Sequence, residues 1–253
     1  MYSEFNKKVV LVTGGTSGIG KATAVSFGKA GATVVICGRR ESFGKEVEKE
    51  LRLQDLNIYF RTCDVAQHDE VKGLIDGIIE DFGCLDIAFN NAGVDGKSNL
   101  LHEADIDDWH NMINVNLNGV FYCLKYEIAA MLKNGGGAIV NNASVSAHRG
   151  YAALPGYIAS KHGLLGLTKS AASGYADKNI RINSISPGLI ETPIFNDDTL
   201  KSAKFQNWVK QVVPMKHMAS PDEVANSVLW LSSSYASHVT GTDLAVDGGI
   251  LAK

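Results

Sequence analysis

The feature that most constrains this chain is an alternation of short apolar runs and longer amphipathic stretches, carried from one end to the other. Val9-Val10-Leu11-Val12 reads as a buried strand, followed by a glycine-rich turn and a helical stretch over 19–30. Thr33-Val34-Val35-Ile36-Cys37 reads as a second strand and 57–62 as a third, with charge at helical spacing over 41–53 between them. Over 69–82, Val71, Leu74, Ile75, Ile78 and Ile79 share one face of a helix. The pattern continues with a strand at Asp86-Ile87-Ala88-Phe89, a long helix over 105–133 and a strand at Ala138-Ile139-Val140-Asn141. A helix over 156–176, a strand over 180–185, a helix holding 224–231 and a last strand at Asp243-Leu244-Ala245-Val246 complete it. Seven strands separated by helices predict an α/β fold, a doubly wound three-layer sandwich with a seven-stranded parallel sheet. No repeat and no linker-like stretch interrupts 1–253, so a single domain is expected.

The turn after the first strand reads Thr13-Gly14-Gly15-Thr16-Ser17-Gly18-Ile19-Gly20. Glycines at 14, 18 and 20 let backbone N–H groups approach a pyrophosphate, and the helix beginning there adds partial positive charge. This is the Rossmann-type arrangement, with Gly14, Ser17, Gly18, Ile19 and Gly20 as candidate phosphate contacts. A rival reading is the nucleoside-triphosphate loop, which Gly15 to Lys21 nearly matches. Ala22 stands where that loop needs a hydroxyl for magnesium, so the rival is set aside. NAD-binding folds place an acid on the ribose 2′-hydroxyl at the end of the second strand. Here that strand ends Cys37-Gly38-Arg39-Arg40. Two guanidinium groups suit a 2′-phosphate, so the expected cofactor is NADP, with NAD as the alternative.

Tyr157-Ile158-Ala159-Ser160-Lys161 places a phenol and an ammonium at i and i+4 on one helix face. A neighbouring ammonium favours the phenolate, which suits proton exchange with an alcohol or carbonyl oxygen. Ser144 lies thirteen residues earlier, just beyond a strand end. Asn90-Asn91-Ala92-Gly93 and Pro187-Gly188-Leu189-Ile190-Glu191-Thr192 also follow strand ends, where this architecture binds ligands. Asn116 falls inside the long helix.

With these motifs in order and at this spacing, the chain resembles the short-chain dehydrogenase/reductase family from Lys8 to Gly249, closing on Val246-Asp247-Gly248-Gly249. The resemblance implies hydride transfer between a nicotinamide and a ketone or secondary alcohol. It implies Tyr157 as general acid/base and Lys161 as holder of the nicotinamide ribose that also lowers the tyrosine pKa. Ser144 would bind the substrate oxygen, and Asn116 would hold a water in a proton relay. It further implies that Asp64 and Val65 contact adenine and Asn91 the adjacent ribose, with Ala92 and Gly93 beside it. Pro187, Gly188, Ile190 and Thr192 would bracket the nicotinamide. The run Asn141-Asn142-Ala143-Ser144 departs from the paired serines common in the family. Ser146 is therefore a competing candidate, and His148, also nearby, reads as an ordinary loop histidine.

Residues 189–218 break the strand–helix alternation, holding Pro193, Pro214 and a helical-looking middle over 200–213. They are read as a substrate lid. The pocket would include Val145, Tyr151 and Leu189. The resemblance also implies a homotetramer formed through the helices over 105–133 and 156–176. Relatives that act on carrier-bound acyl chains often show basic residues on those helices; the corresponding positions here are Ala129 and Ser173.

Composition narrows the remaining classes. The net charge is −3, against nucleic acid as a partner. Cys37, Cys63, Cys84 and Cys123 form no CxxC pair, and the histidines show no ligand spacing, so no metal is expected. No apolar run reaches the ~18 residues of a spanning helix, and residues 1–8 lack the apolar core of a signal peptide. The expectation is a cytoplasmic enzyme with a small-molecule carbonyl or alcohol substrate and no membrane partner. The alternatives are an NAD-dependent sugar or cyclic-alcohol dehydrogenase of the same family, and a non-enzymatic dinucleotide sensor.

Overall fold

The computed structural model describes residues 3–193, 195 and 197–253. Its sheet holds β1 (Val9–Thr13), β2 (Thr33–Gly38), β3 (Ile58–Thr62), β4 (Ile87–Asn90), β5 (Gly137–Asn142), β6 (Ile180–Pro187) and β7 (Asp243–Val246). All are parallel, in the order β3-β2-β1-β4-β5-β6-β7. The chain winds outward from β1 to β3, returns beside β1 with β4, and winds outward the other way. The strand order thus reverses between β1 and β4, and the ends of these strands frame a crevice.

Helices α1 (Gly18–Lys29), α2 (Glu41–Arg52), α3 (His68–Phe82), α4 (Ile106–Ile113), α5 (Gly119–Lys133), α6 (Pro155–Tyr175) and α9 (Pro221–Ser232) make the crossovers. Alternate side chains of β1 explain the two outer layers. Val9 and Leu11 pack with Leu74 and Ile78 of α3, Leu124 of α5 and Leu164 of α6. Val10 and Val12 pack with Phe27 of α1, Val47 of α2 and Val228 of α9. Leu11 and Val12 are fully buried, each worth roughly 1.5–3 kcal/mol over exposure. A strand covered on both faces has no polar alternation, which is why these strands read as continuous apolar runs.

The long helix expected over 105–133 is present with an interruption. Asp105 caps α4, its carboxylate accepting from the Asp108 N–H at 2.9 Å. One π turn, Asn114–Asn118, then joins α4 to α5. The segment expected to form a lid contains α7 (Asp197–Lys201) and α8 (Ala203–Val212). It packs through Val209, Val213 and Met218 against Val145 and Ile250. Beyond it, Ser220 and Glu223 form the reciprocal capping box that opens α9. The four cysteines are free thiols. Among the described residues no helix is long and apolar enough to cross a membrane.

Candidate active site

The turn after β1 is shaped for a phosphate. Gly14 and Gly18 adopt φ of +62° and +51°, conformations that favour glycine. Ser17 caps α1 without a side-chain cap bond, so the helix start keeps N–H groups for a ligand. A Cβ at Gly20 would lie 2.3 Å from the Gly14 carbonyl, so this glycine lets α1 close on the turn. Thr13 Oγ1 accepts from the N–H groups of Asn91 and Ala92 at 2.9 and 3.0 Å. Asn91 Nδ2 donates to the carbonyls of Thr13 and Gly14, and its Oδ1 accepts from Asn142 Nδ2 at 2.9 Å. The run after β4 is thereby tied to the turn after β1. The Asn91 side chain is engaged within the protein, while its surface still faces the crevice.

A cleft of about 970 Å3 runs over these strand ends. Its wall includes Gly14, Ser17, Gly18, Ile19, Arg39, Arg40, Asp64, Val65, Asn91, Ala92 and Gly93. It continues through Ser144, Tyr157, Lys161, Pro187, Gly188, Ile190 and Thr192. Of the residues singled out from the sequence, Gly20 and Asn116 lie behind the wall. An orphan helix N-terminus, two left-handed glycines and two exposed arginines fit the phosphates of a dinucleotide.

At the other end, burial governs the titrating groups. Lys161 Nζ donates to the Asn142 carbonyl at 2.7 Å, and loss of water brings its pKa down to about 8. The ammonium lies 5.6 Å from the centre of the Tyr157 ring. Burial pushes the Tyr157 phenol above its usual value; a hydrogen bond to Ser144 opposes this, and the negative charge of Asp95 adds to it. The sequence points to a phenol lowered by the lysine; in this structure desolvation sets the direction, and it is upward. Ser144, rather than Ser146, is the serine that acts on the phenol's pKa; the Ser146 N–H donates to Ser144 Oγ at 3.1 Å.

Asn116 sits fully buried in the π turn. Its Oδ1 accepts from the Val94 N–H and its Nδ2 donates to the Val94 carbonyl, both at 2.8 Å. It braces the loop after β4 beneath the site. His148 is off the cleft wall, bonded to Asp243 at 2.7 Å. Three contributors went unread in the sequence. Thr13 is one, a strand-end hydroxyl beside the glycines. The second is the Asn142 carbonyl under Lys161. The third is Asp95, whose place on the wall needs the folded loop.

A phosphate cradle joined by one cleft to a serine, a tyrosine and a lysine defines a dinucleotide-dependent dehydrogenase or reductase. The family model described as enoyl-(acyl carrier protein) reductase matches residues 14–251. The chain is 41% identical to cyclohexanol dehydrogenase of Acinetobacter sp. over 100% of this chain and 98% of that one. It is 40% identical to 3beta-hydroxysteroid dehydrogenase of Mediterraneibacter gnavus, covering 97% and 95%. A solved structure described as ElxO with NADP bound superposes with a TM-score of 0.93 at 35% identity, covering 98% of this chain and 100% of that one. The chain belongs to the short-chain dehydrogenase/reductase family and is an oxidoreductase acting on CH–OH groups. A sensor without chemistry is set aside.

Proposed function

We propose that the protein is an NADP(H)-dependent carbonyl reductase or alcohol dehydrogenase, one domain carrying both the cofactor and the substrate halves of the cleft. The observation that carries this is the cleft itself, with Arg39 and Arg40 at one end and Ser144, Tyr157 and Lys161 at the other. When bound, the nicotinamide supplies or accepts the hydride. Ser144 Oγ holds the substrate oxygen. The Tyr157 hydroxyl gives that oxygen a proton in reduction and takes it back in oxidation. The Lys161 ammonium favours the phenolate form and holds the nicotinamide ribose. Asn116 keeps the loop after β4 and the π turn in register beside them. Substrate is read from the walls: Val145, Tyr151, Leu189, Phe195, Trp208 and Ile250 are apolar or aromatic. Together with relatives named for cyclohexanol and hydroxysteroid, they favour a cyclic secondary alcohol or ketone over a sugar. The working assembly is a homotetramer through the α4–α5 and α6 faces.

The test is a paired NAD and NADP activity screen over a panel of ketones and alcohols, run beside Tyr157→Phe. The variant is expected to lose roughly 10²–10⁴-fold in kcat while cofactor Kd stays within a few-fold. Full turnover by Tyr157→Phe would sink the mechanism.

A further inference from the structure

The substrate end of the cleft is electrically one-sided. Tyr151, Leu154, Leu189, Trp208 and Val212 present ring and alkyl carbon there. Set into the same wall is the carboxylate of Asp95, exposed on the loop that follows β4. Asp95 enters none of the ion pairs among the described residues. The cleft's other charges lie elsewhere: Arg39, Arg40 and Asp64 line the cofactor end, and Lys161 is buried under Tyr157. An unpaired carboxylate beside low-dielectric walls projects its field into the space a substrate occupies. Tyr157 already feels that field. Of the groups that face its phenol, Ser144 opposes the upward push of burial and Asp95 adds to it.

We propose that Asp95 is a specificity-determining residue, repelling anionic substrates from the Tyr157 end of the cleft and favouring neutral or cationic ones. The proposal rests on the hydride-transfer reading above for its kinetic form. Substrate charge is what it reads, so a carboxylate-bearing ketone is the disfavoured class. One unit charge several ångströms from another, at an effective dielectric of 20–40, changes relative affinity about tenfold.

The experiment compares the NADPH-loaded protein with Asp95→Asn on three ketones that share a six-membered ring. Cyclohexanone is neutral, 4-oxocyclohexanecarboxylate is an anion and 4-aminocyclohexanone is a cation at neutral pH. Each protein's kcat/KM is normalised to its own value for cyclohexanone. In the variant the anion-to-neutral ratio is expected to rise about tenfold and the cation-to-neutral ratio to fall. Both differences should shrink at about 0.5 M salt. The tyrosine limb of the pH profile for cyclohexanone should also move to lower pH, since a charge that disfavours the phenolate is gone. A merely structural loss would lower all three rates alike, and unchanged ratios overturn the proposal. If the unmodified protein turns over none of the three, the proposed cyclic-ketone reading fails separately. The proposal is then read from Kd values of cyclohexanecarboxylate, cyclohexanol and cyclohexylammonium for the NADPH complex, where equal ratios in the two proteins overturn it.

Discussion

At the scale of single residues, the proposed preference for NADP turns on the end of β2. Arg39 stands where NAD-binding folds carry an acid, and Arg40 is held with its guanidinium 4.6 Å over the Phe43 ring. Charge-assisted contacts to a phosphate are worth roughly 1.5–3 kcal/mol each. Replacing Arg39→Asp together with Arg40→Ser should therefore lower the NADP-to-NAD ratio of kcat/KM by about a hundredfold or more. An unchanged ratio would mean that the arginine pair does not read the 2′-phosphate. Their place on the cleft wall was legible in the sequence, because phosphate chemistry would demand a residue type at a fixed place after β2. The same holds for Tyr157 and Lys161, whose spacing alone sets them on one helix face. Asn142 was not legible, because it acts on Lys161 through its carbonyl, a group every residue has. Asp95 was hidden for another reason: its loop carries no periodicity, so only the folded chain brings it to the wall.

At the scale of elements, the strands were legible because burial on both faces leaves uninterrupted apolar runs. The π turn between α4 and α5 was not, because its widened geometry is carried by Asn114–Asn118 without disturbing the apolar spacing on either side. Nor was the inward aim of Glu127, which reads in the sequence as one more charge on a helix. In the fold, its Oε2 accepts from Asn90 Nδ2 at 3.0 Å, and Asn90 Nδ2 also donates to Asn141 Oδ1. Asn141 Nδ2 in turn donates to Thr168 Oγ1 at 2.9 Å. A single network thus joins α5, β4, β5 and α6. Burial pushes the Glu127 pKa up to about 8, with the Asn90 bond opposing it, and Cys123 is the titratable neighbour. The folded chain therefore keeps a proton that the unfolded chain releases above its ordinary carboxylate value. The stability this gives is complete below the unfolded pKa and is lost as pH rises through about 8. Denaturant unfolding across that range should show stability falling by up to ~1.4 kcal/mol per pH unit from this group. Glu127→Gln keeps the acceptor for Asn90 without the charge. It should flatten that slope and raise stability most at and above about pH 8; an unaltered slope would show that Glu127 is ionised in the fold.

At the scale of the whole molecule, glycine and proline divide the work by location. The chain has 26 glycines and 5 prolines, and every proline lies between 155 and 221. Pro155 and Pro221 open α6 and α9, Pro187 ends β6, and Pro193 and Pro214 fall in the lid region. In the proposed function, flexible backbone thus serves the phosphate side and stiffened chain the substrate side. The outer surface carries a second message that composition could not show. On α5, Phe121 and Leu132 remain 47% and 44% exposed. On α6, Gly166, Ser170, Ser173 and Gly174 are exposed, and a Cβ built on Gly166 or Gly174 would meet nothing within 4 Å. A small-residue helix face beside exposed aromatic and aliphatic side chains allows a second copy to approach closely and bury that carbon. Light scattering should therefore give about four times the chain mass of 27.1 kDa. Gly166→Phe adds a ring where this chain has open space, so it should leave the subunit folded while lowering the assembled mass. Phe121→Arg should do the same by placing a charge in the contact. A monomer mass for the unmodified protein would remove the tetramer, and an unchanged mass for both variants would move the interface off the α5 and α6 faces.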